Sequence, residues 1–382
     1  MGRRVVSLMA IVVLTGATSI MASLPAGAAT VSSESELRAA FASDTQVDLA
    51  ADITVTDCSG SAAGAVVRAD TNTDPVTLDG HGFTITQTCE SNVIIQFGTG
   101  ALTVRNVTIT GGVTEFSGGG VFAQGDLTVE GSVISNNRAG QFGGGLVTNG
   151  VLVVRSSSVV SNGSGQGGGG IQGNLDVTVI DSDVSDNLNG GISTSPDESA
   201  TLTAINTTVN HNTLAGLGGG IFSGGNATLV YVTVTDNSAN DAFASLDVGL
   251  LSSFGSVVTA SAGAANCLVN PESVSLGYNF SNDDTCLFTA PTDRQNAGDP
   301  LLGPLAANGG PTQTRMPQPG SPLLDAIPAA ACAPDVSTDQ RGVTRPQGGR
   351  CDIGAVEVAV VTPAPVTPAP VTPIVITPRF TG

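Results

Sequence analysis

A repeat of 25 residues runs through the middle of the chain, across residues 102–237. Asparagine recurs at this interval, and a branched apolar residue stands three positions before each asparagine. The asparagines are Asn137, Asn162, Asn187, Asn212 and Asn237, and the apolar residues are Ile134, Val159, Val184, Val209 and Val234. A second apolar column contains Leu102, Leu127, Leu152, Val177 and Leu202, and we place Leu229 next in it. A fixed period of roughly 20–50 residues is typical of a stacked or solenoid architecture.

The content of one repeat favours strands over helices. Each repeat holds three short runs in which apolar and polar residues alternate, such as residues 121–123, 127–129 and 133–135. Alternation rich in Val, Ile and Thr predicts strands, and glycine at this density disfavours a helical solenoid. A leucine-rich repeat shares the period but requires L-x-x-L-x-L, usually with a helical segment. We therefore predict an all-β fold, a single-stranded parallel β-helix with about 25 residues per coil.

Stacking of the coils assigns a role to the repeated residues. Equivalent residues of successive coils lie ~4.8 Å apart in such a fold. The aliphatic columns would form the core, and the asparagine column would form a ladder of side-chain amides, each bonded to its copies above and below. We therefore assign a structural ladder to Asn137, Asn162, Asn187, Asn212 and Asn237.

The composition excludes some partners. The chain has 382 residues, with 32 acidic residues, 13 arginines, no lysine and a formal net charge of −19. Neutralisation of phosphates requires a basic surface, so we expect no nucleic-acid partner. Fifty glycines could indicate disorder, but the hydrophobic content is 40% and the apolar residues are periodic, so a core can form.

The segments that flank the repeats have distinct characters. Arg3 and Arg4, a short apolar run and a small-residue cleavage site predict a secretory signal peptide rather than a membrane anchor, with no transmembrane segment after cleavage. Ser33 and Glu36 have capping-box spacing and predict a helix over residues 33–42. We divide the chain into a signal peptide (1–29), an N-terminal helical cap (30–48), the β-helix (49–296), an irregular C-terminal cap that closes the far end (297–357) and a proline-rich spacer (358–382).

The cysteine pattern predicts disulfides. All six cysteines follow the predicted signal peptide, and an even number in an exported chain favours disulfide bonds. A metal site is the alternative, but no C-x₂-C spacing occurs and the chain has two histidines. We expect each cysteine to pair with its neighbour in the sequence, which gives the pairs Cys58/Cys89, Cys267/Cys286 and Cys332/Cys351.

Two patterns resemble known families. Val-x-x-Asn with Gly-Gly-Gly-aliphatic resembles the repeat of polymorphic outer membrane proteins, which favours Phe-x-x-Asn and Gly-Gly-Ala-aliphatic. The C-terminal region resembles the choice-of-anchor Q domain of bacterial secreted β-helix proteins, and Gly277-Tyr278-Asn279 is similar to its lead-in. The segments that carry this resemblance are DPLLGPL at 299–305, NGGPT at 308–312, PGSPLLDA at 319–326, DQRGVTRP at 339–346 and CDIGAVE at 351–357.

The resemblance implies a bacterial protein with a right-handed, pectin-lyase-like β-helix, secreted into the extracellular space or held at the cell surface. It implies no reaction, because β-helices carry lyases, hydrolases, adhesins and passive stalks.

The residues that precede the ladder asparagines supply the candidates for catalysis. Asp186, His211 and Asp236 would stack on successive coils, and Asp183 would share their outward side. Carboxylates two coils apart would be ~9–10 Å from each other, near the upper limit for inverting glycoside hydrolysis. The alternative is an exposed histidine flanked by two aspartates, which is a modest surface charge stack. Asp181, Asp183 and Asp186 could also collect a calcium ion, but no basic partner lies at the same coil position.

Other signals argue against an enzyme. Asn-Thr-Asp at 72–74 and Gly-His-Gly at 80–82 resemble parts of the polygalacturonase signature. They are too close together to lie on adjacent coils, and the signature's lysine is absent. We interpret residues 78–83 as a tight turn between two early strands.

Tryptophan and tyrosine platforms for sugars are also scarce in the sequence. There is no tryptophan, and of the two tyrosines Tyr231 alternates inward in register with Val129 and Val154. We expect a non-catalytic exported stalk, adhesin or surface-display module, with an extracellular glycan or a surface protein as partner and with no cofactor or metal. The alternative is a carbohydrate-active enzyme, either a polysaccharide lyase or a glycoside hydrolase, that acts on an extracellular glycan.

Overall fold

The chain folds into a parallel β-solenoid. The computed structural model describes residues 28–59, 64–69, 71–214, 218–239, 243–260 and 264–359. The solenoid has about eight turns of about 25 residues, and helix accounts for 4% of the structure. The predicted all-β parallel fold is therefore confirmed. The predicted signal peptide and proline-rich spacer lie outside the described residues, apart from residues 28–29 and 358–359.

Each turn contributes three strands, which we call the first, second and third faces in chain order. The first face contains Val66–Arg68, Ile94–Gln96, Val121–Ala123, Leu146–Thr148, Ile171–Gly173, Ile192–Thr194 and Ala265–Val269. The second face contains Ala29–Val31, Gln46–Leu49, Val76–Asp79, Leu102–Arg105, Leu127–Glu130, Leu152–Arg155, Val177–Ile180, Thr201–Ile205 and Val274–Gly277. Two long strands pass through both of these faces, Ile221–Val230 and Phe243–Phe254.

The third face forms a sheet of its own. It contains Ile53–Val55, Thr84–Gln87, Thr108–Thr110, Val133–Ser135, Ser158–Val160, Asp183–Ser185, Thr208–Asn210, Thr233–Ala239, Val257–Ala260 and Phe280–Ser281, with Thr213–Leu214 paired beside it. The remaining strands are Val113–Thr114, Arg138–Ala139 and Gly163–Ser164 after the third face, and the antiparallel pairs Leu302–Ala306 with Thr314–Pro317 and Ile327–Pro328 with Arg350–Cys351.

The 25-residue period places equivalent residues beside each other. Leu127 lies between Leu102 and Leu152 on the second face, and all three are fully buried. Val159 lies between Ile134 and Val184 on the third face in the same way. Because strand residues alternate in direction, each face sends one set of aliphatic side chains inward, and these form one continuous core along the rod.

The predicted position of Leu229 is wrong. Leu202 pairs with Ala227, and Leu229 pairs with Ala204, which places Leu229 two positions farther along its strand than we predicted. The predicted inward direction of Tyr231 is wrong for the same reason. This residue lies in the turn after the second face with φ +54° and does not point into the solenoid. The Leu229 side chain nevertheless keeps its predicted inward direction, since a shift of two positions in a strand preserves the face.

The predicted N-terminal helix is present at Glu34–Ser43. The Ser33 side chain accepts a hydrogen bond from the Glu36 backbone N–H, as the capping spacing predicted. The helix buries Leu37, Ala40 and Phe41 against the first turns of the core.

Three disulfides join the predicted neighbours, Cys58 with Cys89, Cys267 with Cys286, and Cys332 with Cys351. The first lies near the beginning of the solenoid, the second joins the strand Ala265–Val269 to the turn at Cys286 near its end, and the third lies in the C-terminal segment. Each cross-link removes freedom from the unfolded chain and so stabilises the fold.

The C-terminal segment, residues 297–357, packs along the outer side of the third face. Thr208 Oγ1 donates to Gln340 Oε1 at 2.7 Å, and Thr233 Oγ1 accepts from the Ala355 N–H at 3.0 Å. These contacts lie three and two turns before the last coil, so the segment covers the flank of the rod, whereas we predicted that it closes the end. The repeat pattern contained no signal for this return path.

A second hydrophobic core holds the C-terminal segment in place. The Arg345 guanidinium is buried, lies 4.1 Å from the centroid of the Tyr231 ring and pairs with Glu357 at 2.9 Å. The apolar members of this core are Tyr231, Val257, Phe280, Leu323, Ala326, Ile327, Cys351 and Ile353.

Candidate functional site

The asparagine ladder occupies the turn after the third face. Asn187 Nδ2 donates to Asn212 Oδ1 at 2.9 Å and to the Val159 carbonyl at 2.9 Å. Its Oδ1 accepts from the backbone and side-chain amides of Asn162, at 2.9 and 3.2 Å. The same pattern repeats along the column, and all five asparagines are buried. The ladder supplies hydrogen bonds to turn carbonyls and amides that the sheets leave unpaired, so its role is structural.

The residue before each ladder asparagine has a positive φ. His211 has φ +54°, and Asp186 and Asp236 lie at the same position of neighbouring turns with φ +56° and +55°. This backbone conformation directs the side chain outward. His211 Nδ1 lies 2.6 Å from Asp186 Oδ1, and the two side chains are 66% and 47% exposed. Two of the four catalytic candidates therefore form an exposed pair.

Asp236 does not complete this pair. Its carboxylate accepts a hydrogen bond from Arg315 of the C-terminal segment, whose guanidinium also donates to Asn210 Oδ1 at 2.8 Å. Arg315 therefore neutralises Asp236 and ties the segment to the third face.

Asp183 is fully buried. It begins the strand Asp183–Ser185, and the C-terminal segment makes contact on both sides of it, through Asp181 and Thr208. Burial raises the pKa of its carboxyl to about 7, although the nearby Ser185 hydroxyl opposes the shift. Neither carboxylate oxygen has a hydrogen-bond partner of good geometry among the described residues. The side chain points away from the solenoid core, as we predicted, but solvent cannot reach it.

The four catalytic candidates are thus divided among three environments. Asp186 and His211 share an open surface, Asp236 is paired with an arginine, and Asp183 is sealed beneath the C-terminal segment. General acid–base catalysis requires both groups within reach of one substrate, and this geometry offers such reach to Asp186 and His211.

A long groove that was not predicted from the sequence lies on the first face. Its floor is the outward column of that face, in which Phe122 lies between Ile95 and Val147 and is followed by Gln172, Ser193 and Phe222 on successive turns. Its wall is formed by the loops that precede the same strands, and these carry Phe116 and Phe142.

The groove consists of three adjoining cavities. One of about 830 Å³ and one of about 290 Å³ share Ile95, Phe97 and Phe116, and the second of them reaches Gln141. A third, of about 500 Å³, begins at the adjacent Phe142. The described residues that line the third cavity are uncharged: Phe142, Gly165, Gln166, Gly167, Gln172, Asn189, Ser193, Thr194, Pro196, Leu214 and Phe222.

Exposed phenylalanines give the groove an aromatic lining. Phe116 is 68% exposed, Phe97 45% and Phe142 40%, and the Phe97 and Phe122 rings lie 6.2 Å apart. These phenylalanines were not predicted, because tryptophan and tyrosine are the residues from which we expected aromatic platforms. Phe122 and Phe222, at outward positions of first-face strands, were the signal that could have revealed the groove.

A second polar cluster lies near the N-terminal end. Asp48, Asp79 and His81 each offer one ligand atom, and the three atoms lie within 4.8 Å of one another. His81 lies in the turn between the strands Val76–Asp79 and Thr84–Gln87, which confirms the tight turn predicted there.

One of the comparisons with known proteins agrees with the architecture. None of the helices formed by the described residues is long and apolar enough to cross a membrane. No curated protein and no solved structure shows a significant match to the chain. Residues 92–266 match a family model described as "Right handed beta helix region". These residues include the asparagine ladder and the floor of the first-face groove from Ile95 to Phe222, and the chain therefore contains a right-handed parallel β-helix.

Proposed function

We propose that the protein is an exported, non-catalytic adhesin that binds a neutral extracellular glycan along the first-face groove. The observation that carries this proposal is the uncharged cavity between Phe142 and Phe222, which continues toward Phe97 as an aromatic-lined groove. The solenoid acts as a rigid rod, and three disulfides suit it to an oxidising, extracellular environment.

The lining of the groove matches the chemistry of sugars. A sugar ring has an apolar face that packs against an aromatic ring, and hydroxyl groups that require hydrogen bonds. Phe142 and Phe222 provide the rings, while the Gln166, Gln172 and Asn189 side chains provide both donors and acceptors. Ligand sites commonly combine an apolar lining with a few convergent polar groups.

The shape of the groove favours a linear ligand. The floor from Ile95 to Phe222 spans six stacked strands, which at the inter-strand spacing corresponds to about 24 Å. Next to the floor, an exposed ladder joins Gln124 to Asn149 and Asn149 to Asn174. A chain of several sugar units can therefore lie parallel to the rod, with amide groups along one edge.

The charge of the protein selects against acidic ligands. The formal net charge is −19, and Glu90 and Glu115 border the groove near its N-terminal end. A polyuronate or a nucleic acid would be repelled by this field. A neutral polysaccharide carries no net charge and is not repelled.

Binding to a panel of insoluble neutral and acidic polysaccharides tests the proposal. We expect co-sedimentation with at least one neutral polysaccharide, and a loss of at least tenfold in affinity for the double variant Phe142→Ala/Phe222→Ala. Leu276→Ala is the matched control, because Leu276 is 54% exposed and lies on the second face near the far end of the solenoid. Absence of binding to every neutral polysaccharide would disprove the proposal, as would an equal loss in the control.

The alternative function, a carbohydrate-active enzyme, is favoured by one observation, the 2.6 Å contact between His211 and Asp186. The pair could act as a general acid–base dyad on a bound glycan. The same polysaccharide panel tests this alternative through the release of soluble sugar. If the wild type releases soluble sugar and Asp186→Asn does not, the protein is an enzyme and the proposal of a non-catalytic adhesin is wrong.

A further inference from the structure

Asp48 and Asp79 place two carboxylates on adjacent strands of the second face. They are direct register partners, and both are buried. Like charges directly opposite each other in a sheet repel, and burial strengthens the repulsion because the local dielectric is low. This stack therefore requires positive charge close by.

Arg105 supplies this positive charge beside Asp79. Arg105 is its register partner on the next turn, and Arg105 Nε donates to Asp79 Oδ2 at 2.7 Å. Asp79 Oδ1 accepts from the His81 backbone N–H at 3.1 Å and from Asn106 Nδ2 at 3.2 Å. Burial alone would raise the pKa of Asp79, but these hydrogen bonds and the Arg105 charge hold it below the ordinary value.

Asp48 lacks such compensation. Its Oδ1 accepts from Gln46 Nε2 at 2.9 Å and lies 3.0 Å from His81 Nε2. Its Oδ2 is buried and has no hydrogen-bond partner among the described residues. A buried carboxylate oxygen without a partner is costly and marks a place where a ligand or an ion belongs.

His81 completes a ligand set. Its Nδ1 lies 3.8 Å from Asp79 Oδ1, so the ring stands against both carboxylates. Its backbone has φ +49°, which tips the ring out of the turn and over the stack. The ring is about half exposed and borders a cleft of about 410 Å³, together with Asn106, Thr108 and Val133.

We propose that Asp48, Asp79 and His81 bind one zinc ion. One imidazole nitrogen and two carboxylate oxygens are ligands that Zn²⁺ accepts, and imidazole makes zinc a better match than calcium or magnesium. The ion neutralises the orphaned charge of Asp48. Arg105 and Asn106 hold the Asp79 carboxylate in orientation. The cleft beside His81 would let water reach the bound ion. The site lies on early turns, apart from the first-face groove, and is independent of the glycan proposal.

The chain offers a matched control for this proposal, because its second histidine also contacts an aspartate. His211 pairs with Asp186 but has a single carboxylate and an open surface, and it too lies at a turn with a positive φ. Asparagine tolerates positive φ. His81→Asn and His211→Asn therefore preserve both turns while removing one imidazole each.

The experiment is calorimetric titration of Zn²⁺ into the full chain after treatment with a chelator. We expect one ion per chain in the wild type and in His211→Asn, and at least a tenfold loss of affinity in His81→Asn. Cobalt substitution should give visible d–d absorption that His81→Asn abolishes. Equal zinc affinity in His81→Asn and the wild type would overturn the assignment, and so would calcium binding that is stronger than zinc binding.

Asp48→Asn provides a second measurement if His81→Asn is poorly folded. Removal of the buried charge should raise the melting temperature of the metal-free protein. The same change should abolish the further rise that zinc produces in the wild type. A zinc-induced rise of equal size in Asp48→Asn would exclude Asp48 as a ligand.

Discussion

Substitution of Asp183 by asparagine should make the protein more stable at high pH. The carboxyl is fully buried, and burial raises its pKa from 3.8 to about 7. Asparagine has nearly the same shape and carries no charge at any pH. The change therefore isolates the cost of ionising one group beneath the C-terminal segment.

The sign follows from proton binding. Between pH 4 and pH 7 the folded protein keeps the Asp183 proton, whereas the unfolded chain has lost it. The free energy of unfolding therefore falls as the pH rises through this interval, and it levels off above the folded pKa. At 1.36 kcal/mol for each pKa unit, the cost of the carboxylate reaches about 4 kcal/mol at pH 8 and about 1.5 kcal/mol at pH 5.

Denaturant-induced unfolding at pH 5 and pH 8, followed by circular dichroism, measures this difference. The stability gained by Asp183→Asn should be about 2–3 kcal/mol larger at pH 8 than at pH 5. Glu130→Gln is the control, because Glu130 is 46% exposed and lies 4.0 Å from Arg155 at the surface. This control should show almost no change. An equal effect of Asp183→Asn at both pH values would refute the argument, because the carboxyl would then be solvated or hydrogen-bonded.

Two further predictions concern buried hydrogen bonds. Asn187→Ala should reduce the free energy of unfolding by about 1–3 kcal/mol, because the neighbouring amides and carbonyls lose buried partners; Asn149→Ala, in the exposed ladder, should cost less than about 0.5 kcal/mol. An unchanged melting temperature for Asn187→Ala would contradict the structural role of the buried ladder. Tyr231→Phe removes the hydroxyl that accepts from the Ala333 N–H at 3.0 Å, and should cost about 1 kcal/mol in thermal unfolding while leaving the Arg345 contact with the ring in place. Stability equal to that of the wild type would contradict a stabilising role of this hydrogen bond.

The regular part of the fold could be predicted from the sequence because a constant period determines each residue's neighbours. Once Asn162 and Asn187 are known to be one turn apart, their stacking follows from the spacing of the coils. The helix at Glu34–Ser43 followed from a local capping signal, and the disulfides followed from proximity in the chain. Each of these features depends on a rule that repeats along the chain, acts within a few residues or pairs neighbouring cysteines.

The tertiary structure decided the features that no period describes. The C-terminal segment has no repeat, so only packing could show that it returns along the third face, buries Asp183 and pairs Arg315 with Asp236. Asp48 and Asp79 are 31 residues apart on irregular early turns, and their register could not be counted from the 25-residue interval. The sequence by itself determined which side chains stack along the rod. Only the folded chain determined which outward side chains are covered and which remain open to a ligand, because covering depends on contacts between segments distant in sequence.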